Sequence, residues 1–222
     1  MDLRIKDISS LLKISEKDIM RLIKRNEIPF YRINKQYRFN KGEISEWMLN
    51  NRNSITGEFM KLQNIEKPAY LAELIKSGGI YYDIEGTDIK SVLSNAINLL
   101  PLSKRIESET LLSYLVEREE TIPTYIGMGA AVPHPKKPII TDADEQFVAI
   151  CFLKNPFPYG EKKEMLCTLF IIISSNQRNH LKTLSLISYL MQDRGFSELL
   201  MRVPKREDIM FELEKQLLKE KF

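Results

Sequence analysis

The chain has 222 residues, of which 43% are hydrophobic and 28% charged, and its formal net charge is +3. These values are typical of a soluble globular protein with one large or two modest domains. The charged first residues contain no apolar signal core, and the longest apolar stretch, residues 166–173, is too short to span a bilayer. We therefore expect no secretory signal and no membrane insertion, and we expect a cytoplasmic protein.

The two cysteines and two histidines limit the chemistry that the chain can perform. Cys151 and Cys167 lie in apolar runs typical of strands, without the spacing of metal ligands. Two histidines are too few for a zinc site unless carboxylates complete it. No glycine-rich run ends in Gly-Lys-Ser or Gly-Lys-Thr, so a P-loop is excluded. We expect reduced core cysteines, as in cytoplasmic proteins, with no metal and no bound cofactor.

The charge is distributed unevenly along the chain. Residues 1–52 contain 12 Lys or Arg against 7 Asp or Glu, a net charge of +5, which leaves −2 for the remaining residues. A basic segment followed by a mildly acidic body favours nucleic-acid contact by the first part alone. A basic face that is only solvated would have the same net charge. The charge alone therefore does not distinguish nucleic-acid binding from solvation, and the helical pattern is needed.

The first 25 residues predict two short helices joined by a tight connection. Lys13-Ile14 form the connection, and Ser15 is suited to cap the second helix. Each helix carries apolar residues at helical spacing. They are Ile5, Ile8, Leu11 and Leu12 in the first, and Ile19, Leu22 and Ile23 in the second.

A hairpin and a third helix follow. Pro29 ends the helical pattern, and residues 31–33 and 37–39 flank a hairpin tip formed by residues 34–36. A third helix, over residues 41–49, can bury Ile44, Trp47 and Met48. This order of elements is that of a winged DNA-binding unit. In such a unit the second helix enters the major groove and the hairpin grips phosphate or the minor groove.

The candidate DNA contacts are the basic side chains of the second helix and the hairpin. They are Lys17, Arg21, Lys24, Arg25, Arg32, Lys35 and Arg38. Residues 6–23, 28–32 and 38–39 resemble the excisionase and MerR-like helix-turn-helix family, a resemblance that covers residues 2–49. Lys13 stands where that family often has glycine, and Glu16 puts a negative charge at a phosphate-facing position. A helical module used only for protein contacts remains an alternative.

Residues 51–68 are predicted to be a linker, because residues 50–54 are polar and Thr56-Gly57 favours a turn. The expected domains are a winged helix-turn-helix DNA-binding domain at 1–50 and an α/β domain at 69–222. A single short recognition helix usually needs a second copy for useful affinity, so we expect a homodimer. The linker also holds apolar residues suited to a short docking or dimerising helix, namely Phe59, Met60, Leu62 and Ile65.

Helical and strand patterns alternate after Tyr70. Residues 146–153 and 166–174 are near-continuous apolar runs typical of central strands covered on both faces, and residues 80–82 predict a strand or an extended connection. The fold class is therefore α/β, a small winged helix-turn-helix followed by a mixed central sheet flanked by helices. Five helices are predicted in this part of the chain. The first ends at residues 78–79 and the second begins after a cap at Thr87. The other three run over residues 108–119, 181–191 and 206–219.

His134 is the strongest candidate for chemistry. It follows a turn-forming run of small residues, 126–133, in which little bulk blocks approach to the ring. A neutral imidazole can accept a phosphoryl group if one nitrogen is free, the other is held by an acceptor, and a cation faces the phosphate. His180, Arg118 and Thr124 could assist. Spacing alone does not favour this site, since two separate histidines are usually surface or core residues.

Several ordered motifs carry a resemblance to a known family: Glu117-Arg118-Glu119, residues 121–127, residues 131–134 and residues 179–184. They resemble the phosphotransferase-system (PTS) IIA type-2 family, the mannitol, fructose and nitrogen-regulatory group, over residues 69–220. The resemblance implies that the phosphocarrier protein HPr phosphorylates His134. It further implies that Arg118 neutralises the phosphoryl group, that His180 is the second active-site histidine, and that the Thr124 hydroxyl supports them.

One residue departs from the family pattern. The family usually has glycine after its active histidine, whereas this chain has Pro135. Proline removes a backbone N–H that could contact phosphate or a partner, and it restricts His134 towards an extended backbone. We therefore expect the departure to affect phosphoryl transfer rather than the fold.

The two resemblances together predict a DNA-binding transcriptional regulator whose IIA-like domain is phosphorylated on His134 by phospho-HPr. The added charge is expected to alter docking between domains or within a dimer, and so DNA binding. One alternative is a phosphoryl carrier that passes phosphate to a IIB partner of a sugar phosphotransferase system. A second is a IIA-like binding protein that is not phosphorylated. HPr and DNA are the expected partners of the first function.

Overall fold

The computed structural model describes residues 2–50, 69–160 and 162–219. These residues form two compact units, 2–50 and 69–219. The predicted linker at 51–68 lies outside the described residues, and the docking or dimerising helix suggested for it lies there too.

The N-terminal unit is a helix-turn-helix followed by a hairpin and a third helix. Helix α1 spans Ile5–Leu12, α2 spans Glu16–Lys24 and α3 spans Lys41–Asn50. Strands β1 (Tyr31–Ile33) and β2 (Gln36–Arg38) pair antiparallel. Buried apolar residues come from all three helices, as their spacing predicts, and include Ile8, Leu11, Ile19, Ile23, Ile44 and Met48.

The connection between α1 and α2 has a clear local cause. Lys13 ends α1 in the left-handed region, with φ of 54°, a conformation that glycine adopts without steric cost. This explains why related sequences favour glycine there. The Ser15 hydroxyl accepts from the Asp18 backbone N–H at 3.2 Å and caps α2 as predicted. Trp47 is half-buried, and its Nε1 donates to the Glu27 carbonyl at 2.6 Å.

The hairpin tip is shorter than predicted. Asn34 and Lys35 have φ of 48° and 63°, the left-handed pair that a two-residue type I′ turn requires. Gln36 therefore belongs to β2 rather than to the tip. Pro29 does not end α2 either, because that helix stops at Lys24 and Asn26 already has φ of 56°.

The C-terminal unit contains a five-stranded mixed sheet. Its strands are β3 (Ile80–Ile84), β4 (Tyr125–Gly127), β5 (Ala130–Ala131), β6 (Phe147–Tyr159) and β7 (Glu164–Ile173). Their order is β3-β6-β7-β5-β4. β3 runs parallel to β6 and β5 parallel to β7, while β6 and β7, and β4 and β5, are antiparallel.

Helices cover both faces of the sheet, as the continuous apolar runs predict. Ala149, Cys151 and Ile171 share a core with the second and third helices of the unit. Val148 and Ile172 alternate with them and are equally buried, and other helices contact β6 and β7. The helices are α4 (Ala69–Gly78), α5 (Ile89–Ile97), α6 (Ser108–Thr121), α7 (Gln177–Gln192), α8 (Arg194–Met201) and α9 (Arg206–Lys219).

Several local predictions were wrong. Asp88, rather than Thr87, caps α5, because its carboxylate accepts from the Ser91 N–H at 2.8 Å. Helix α8 was not predicted: it begins at a second cap, Asp193, directly after α7. Strands β4 and β5 were missed because they are only three and two residues long. Cys151 is buried as expected, but Cys167 is partly exposed.

Candidate functional site

The small residues before His134 form a tight hairpin at the edge of the sheet. Gly127, Met128 and Gly129 all have positive φ, at 97°, 50° and 73°, and join β4 to β5. A Cβ on Gly129 would lie 3.2 Å from the Cys167 Sγ. The glycines therefore serve the turn and its contact with β7. They do not leave the histidine open, since His134 is only 7% exposed, so the expected unobstructed approach to the ring was wrong.

One nitrogen of His134 is held by the backbone. Nδ1 lies 2.7 Å from the carbonyl oxygen of Val132. A carbonyl oxygen can only accept, so Nδ1 carries the proton and donates it. In the neutral ring the free lone pair is then on Nε2.

His180 stands beside His134. It lies in the first turn of α7, whose Asn176 cap accepts from the Asn179 N–H at 2.9 Å. The centroids of the two imidazole rings are 4.5 Å apart, and the rings are tilted by 54°. The structure thus brings together two histidines that are 46 positions apart in the sequence.

Burial and Arg118 keep both rings neutral. Burial lowers the pKa of His180 to about 4, and the positive charge of Arg118 adds to this effect. Burial is also the main cause that holds the pKa of His134 well below its usual value, followed by His180 and Arg118. Arg118 is half-buried near the end of α6, and its Nη1 donates to the Ile122 carbonyl at 2.7 Å. Two neutral imidazoles near a guanidinium can receive an anionic group without first losing a proton.

Thr124 is tied to a buried carboxylate that the sequence reasoning missed. Its backbone N–H donates to Glu119 Oε2 at 2.8 Å, and its hydroxyl donates to Glu119 Oε1. The Tyr159 hydroxyl donates to the same carboxylate. Glu119 is 3% exposed. The sequence does contain a signal for this burial, because Glu119 follows Leu115 by four residues and so continues the apolar stripe of α6.

A groove of about 690 Å³ opens beside Pro135. Its wall carries the apolar side chains of Ile106, Tyr114 and Ile139. It also carries four cations, of which Lys136 pairs with Glu117 at 2.8 Å. The other three are Lys104, Arg105 and Lys137.

The candidate DNA contacts remain on the surface of the N-terminal unit. Six of the seven are exposed, and only Arg38 is half-buried. Arg32 stacks its guanidinium 4.6 Å from the Tyr37 ring centroid and donates to the Tyr37 hydroxyl. Arg21 pairs with Asp18 at 2.7 Å. The exposed six are Lys17, Arg21, Lys24, Arg25, Arg32 and Lys35.

Among residues 2–50, 69–160 and 162–219, no three His, Cys, Asp or Glu side chains are grouped as metal ligands would be. Within the same ranges, no helix has the length and apolarity needed to cross a membrane.

The fold defines a IIA-like α/β domain that is preceded by a helix-turn-helix unit. A family described as phosphoenolpyruvate-dependent sugar phosphotransferase system, EIIA 2, matches residues 73–216, and a helix-turn-helix domain family matches residues 3–52. The chain belongs to the EIIA 2 family of the sugar phosphotransferase system. The predicted IIA type-2 family and the predicted N-terminal helix-turn-helix are thereby confirmed. Among curated proteins, none matches the chain significantly.

Several solved structures are similar to the C-terminal unit, and the first of them supports its fold. The nitrogen regulatory protein IIA-Ntr from Neisseria meningitidis is 22% identical, with 65% of this chain and 99% of that chain covered and a TM-score of 0.55. IIA mannitol from Escherichia coli is 19% identical, with 60% of this chain and 94% of that chain covered and a TM-score of 0.46. The complex of enzyme IIA mannitol with phosphorylated enzyme IIB mannitol from Escherichia coli is 16% identical, with 61% of this chain and 94% of that chain covered and a TM-score of 0.48. At these identities the likeness concerns the fold alone.

Proposed function

We propose that this protein is a DNA-binding transcriptional regulator whose IIA domain accepts a phosphoryl group on His134 from phospho-HPr. The observation that carries the proposal is the held imidazole, with Nδ1 bonded to the Val132 carbonyl and His180 at 4.5 Å. This arrangement fixes Nε2 as the nucleophile without a separate base. The fusion to a helix-turn-helix unit favours a regulatory use of the phosphate over a purely metabolic one.

The chemical step exchanges one P–N bond for another. The lone pair of His134 Nε2 attacks phosphorus as the P–N bond to the donor histidine breaks, and the proton stays on Nδ1, which donates it to the Val132 carbonyl. Arg118 supplies positive charge to the transferring oxygens, for which a guanidinium is well suited. His180 donates a hydrogen bond to the phosphoryl group. The Thr124 hydroxyl serves indirectly, since it is bonded to Glu119.

The N-terminal unit binds DNA in an excisionase-like manner under this proposal. Helix α2 enters the major groove with Lys17, Arg21, Lys24 and Arg25, and the hairpin contacts phosphate with Arg32, Lys35 and Arg38. Two copies in a homodimer bind two half-sites. Phosphorylation of His134 adds roughly two negative charges, and these change the affinity for DNA.

A second candidate function rests on the burial of the ring. His134 is only 7% exposed, and Pro135 after it has no N–H to offer to a phosphate. These two observations favour a IIA-like binding protein that is not phosphorylated. A carrier that delivers phosphate to a IIB subunit is the remaining alternative, and family membership is its support.

A labelling experiment separates the three functions. The full chain is incubated with labelled phosphoenolpyruvate, enzyme I and HPr, as wild type, His134→Ala and His180→Ala. The proposal predicts label on the wild type, none on His134→Ala, and a reduced or unstable label on His180→Ala. Absence of label on the wild type would establish the binding-protein function instead. Rapid onward transfer of the label to an added IIB protein would identify a carrier.

A further inference from the structure

A buried carboxylate on α6 has no direct role in the phosphoryl step described above. Glu119 is 3% exposed and lies with Leu111 and Leu115 on the buried face of α6. Burying a carboxylate is costly unless donors satisfy both of its oxygens. Glu119 has three such donors: the Thr124 N–H, the Thr124 hydroxyl and the Tyr159 hydroxyl.

The same carboxylate is connected to the reactive ring through a series of hydrogen bonds. Thr124, held by Glu119 at two atoms, accepts from the Val132 N–H on its carbonyl oxygen at 3.1 Å. The Val132 carbonyl in turn accepts from His134 Nδ1 at 2.7 Å. The contacts run through the backbone of Thr124 and Val132, so Glu119 acts on the position of the carbonyl that accepts from His134.

We infer that Glu119 is the positioning residue that fixes the tautomer of His134 and so selects the nitrogen that accepts the phosphoryl group. It holds Thr124, whose carbonyl holds the Val132 N–H, and the Val132 carbonyl so placed fixes the proton on Nδ1. A partner of this kind commonly determines ring orientation and tautomer in histidine sites. The link to phosphoryl transfer rests on the proposed function, whereas the tautomer is a property of the unphosphorylated protein.

The test is nuclear magnetic resonance of the full chain with ¹⁵N-labelled histidine. The chain has only two histidines, so a spectrum of His180→Gln assigns them. Wild type is expected to show a single tautomer of His134 with the proton on Nδ1. Glu119→Gln is expected to show both tautomers, because an amide cannot accept all three donors. Glu120→Gln makes the same chemical change at the next residue, which is exposed, and it should match wild type.

Two milder variants keep the test decisive if Glu119→Gln does not fold. Tyr159→Phe and Thr124→Val each remove one donor to the carboxylate and leave the others in place. Both are expected to shift the tautomer ratio in the same direction as Glu119→Gln, by a smaller amount. A single Nδ1–H tautomer in a folded Glu119→Gln, or in both milder variants, overturns the inference.

Transfer kinetics supply a second readout. In Glu119→Gln the turnover with phospho-HPr should fall by about tenfold or more, as for other partners that orient a reactive histidine, with KM for phospho-HPr unchanged. Part of the phosphate should move from Nε2 to Nδ1. Unchanged turnover with phosphate only on Nε2 counts against the inference. If wild type itself takes no phosphate, the proposed function fails, and the tautomer spectra alone decide the role of Glu119.

Discussion

The two units hold their candidate site residues in opposite ways. In the N-terminal unit the candidate DNA contacts are exposed cations on a small apolar core, and their individual positions matter less than their summed charge. In the C-terminal unit His134, Thr124 and Glu119 are buried and hydrogen-bonded, with His134 and Glu119 only 7% and 3% exposed. Substitutions should therefore have graded effects in the first unit and abrupt effects in the second.

The largest expected effect is at Arg118. Arg118→Gln should lower the rate of His134 phosphorylation by about a hundredfold or more, the usual scale for loss of one group that stabilises developing charge. It should also raise the pKa of His180 above about 4, because the charge of Arg118 contributes to that low value. Rapid-quench labelling and histidine NMR titration measure the two effects. Arg202→Gln, at an exposed arginine of the same unit, is the control and should alter neither.

A smaller effect is expected from pH on the stability of the C-terminal unit. The pKa of His180 is about 4 in the folded chain and near 6.5 when unfolded, so the unfolded state binds more protons in between. The contribution of neutral His180 to the free energy of unfolding is present above pH 6.5 and is lost as pH falls through about 4. Between pH 7 and pH 5 the loss is about 2 kcal/mol, and His134 acts in the same direction.

Urea unfolding at pH 7 and pH 5 checks this prediction. The single tryptophan, Trp47, lies in the N-terminal unit, so its fluorescence follows that unit while far-ultraviolet circular dichroism is dominated by the other. Only the circular dichroism transition should move with pH, and His180→Gln should reduce the movement. A transition equally pH-dependent in His180→Gln would show that other groups are responsible.

The smallest effect is expected in the wing. Lys35→Asn removes one exposed charge while keeping a residue that tolerates the left-handed conformation at φ of 63°. The slope of log affinity against log salt should become shallower by about 1, with no change in sequence preference. Lys137→Asn, an exposed lysine of the other unit, should leave the slope unchanged. An equal effect of both variants would contradict the proposal that the N-terminal unit contacts DNA and the C-terminal unit does not.

The sequence predicts the N-terminal unit better than the buried site of the C-terminal unit, for physical reasons. The Ser15 cap, the helix periodicity and the basic hairpin are local patterns, and the structure has them. His134, His180 and Arg118 could be united only through the family resemblance, because their proximity depends on how β5, α6 and α7 pack. Glu119 was overlooked, since a carboxylate on a helix is ordinarily solvated and one of its donors, the Tyr159 hydroxyl, lies 40 residues further along the chain.

The central claim is that the phosphate on His134 regulates DNA binding. The most direct test selects a binding site from randomised duplexes and measures its affinity for phosphorylated and unphosphorylated protein across salt concentrations, with His134→Ala treated identically. A typical coupling between two sites gives an affinity difference of about fivefold or more, which we expect for wild type and not for His134→Ala. Equal affinity of the two wild-type forms at every salt concentration would contradict the account.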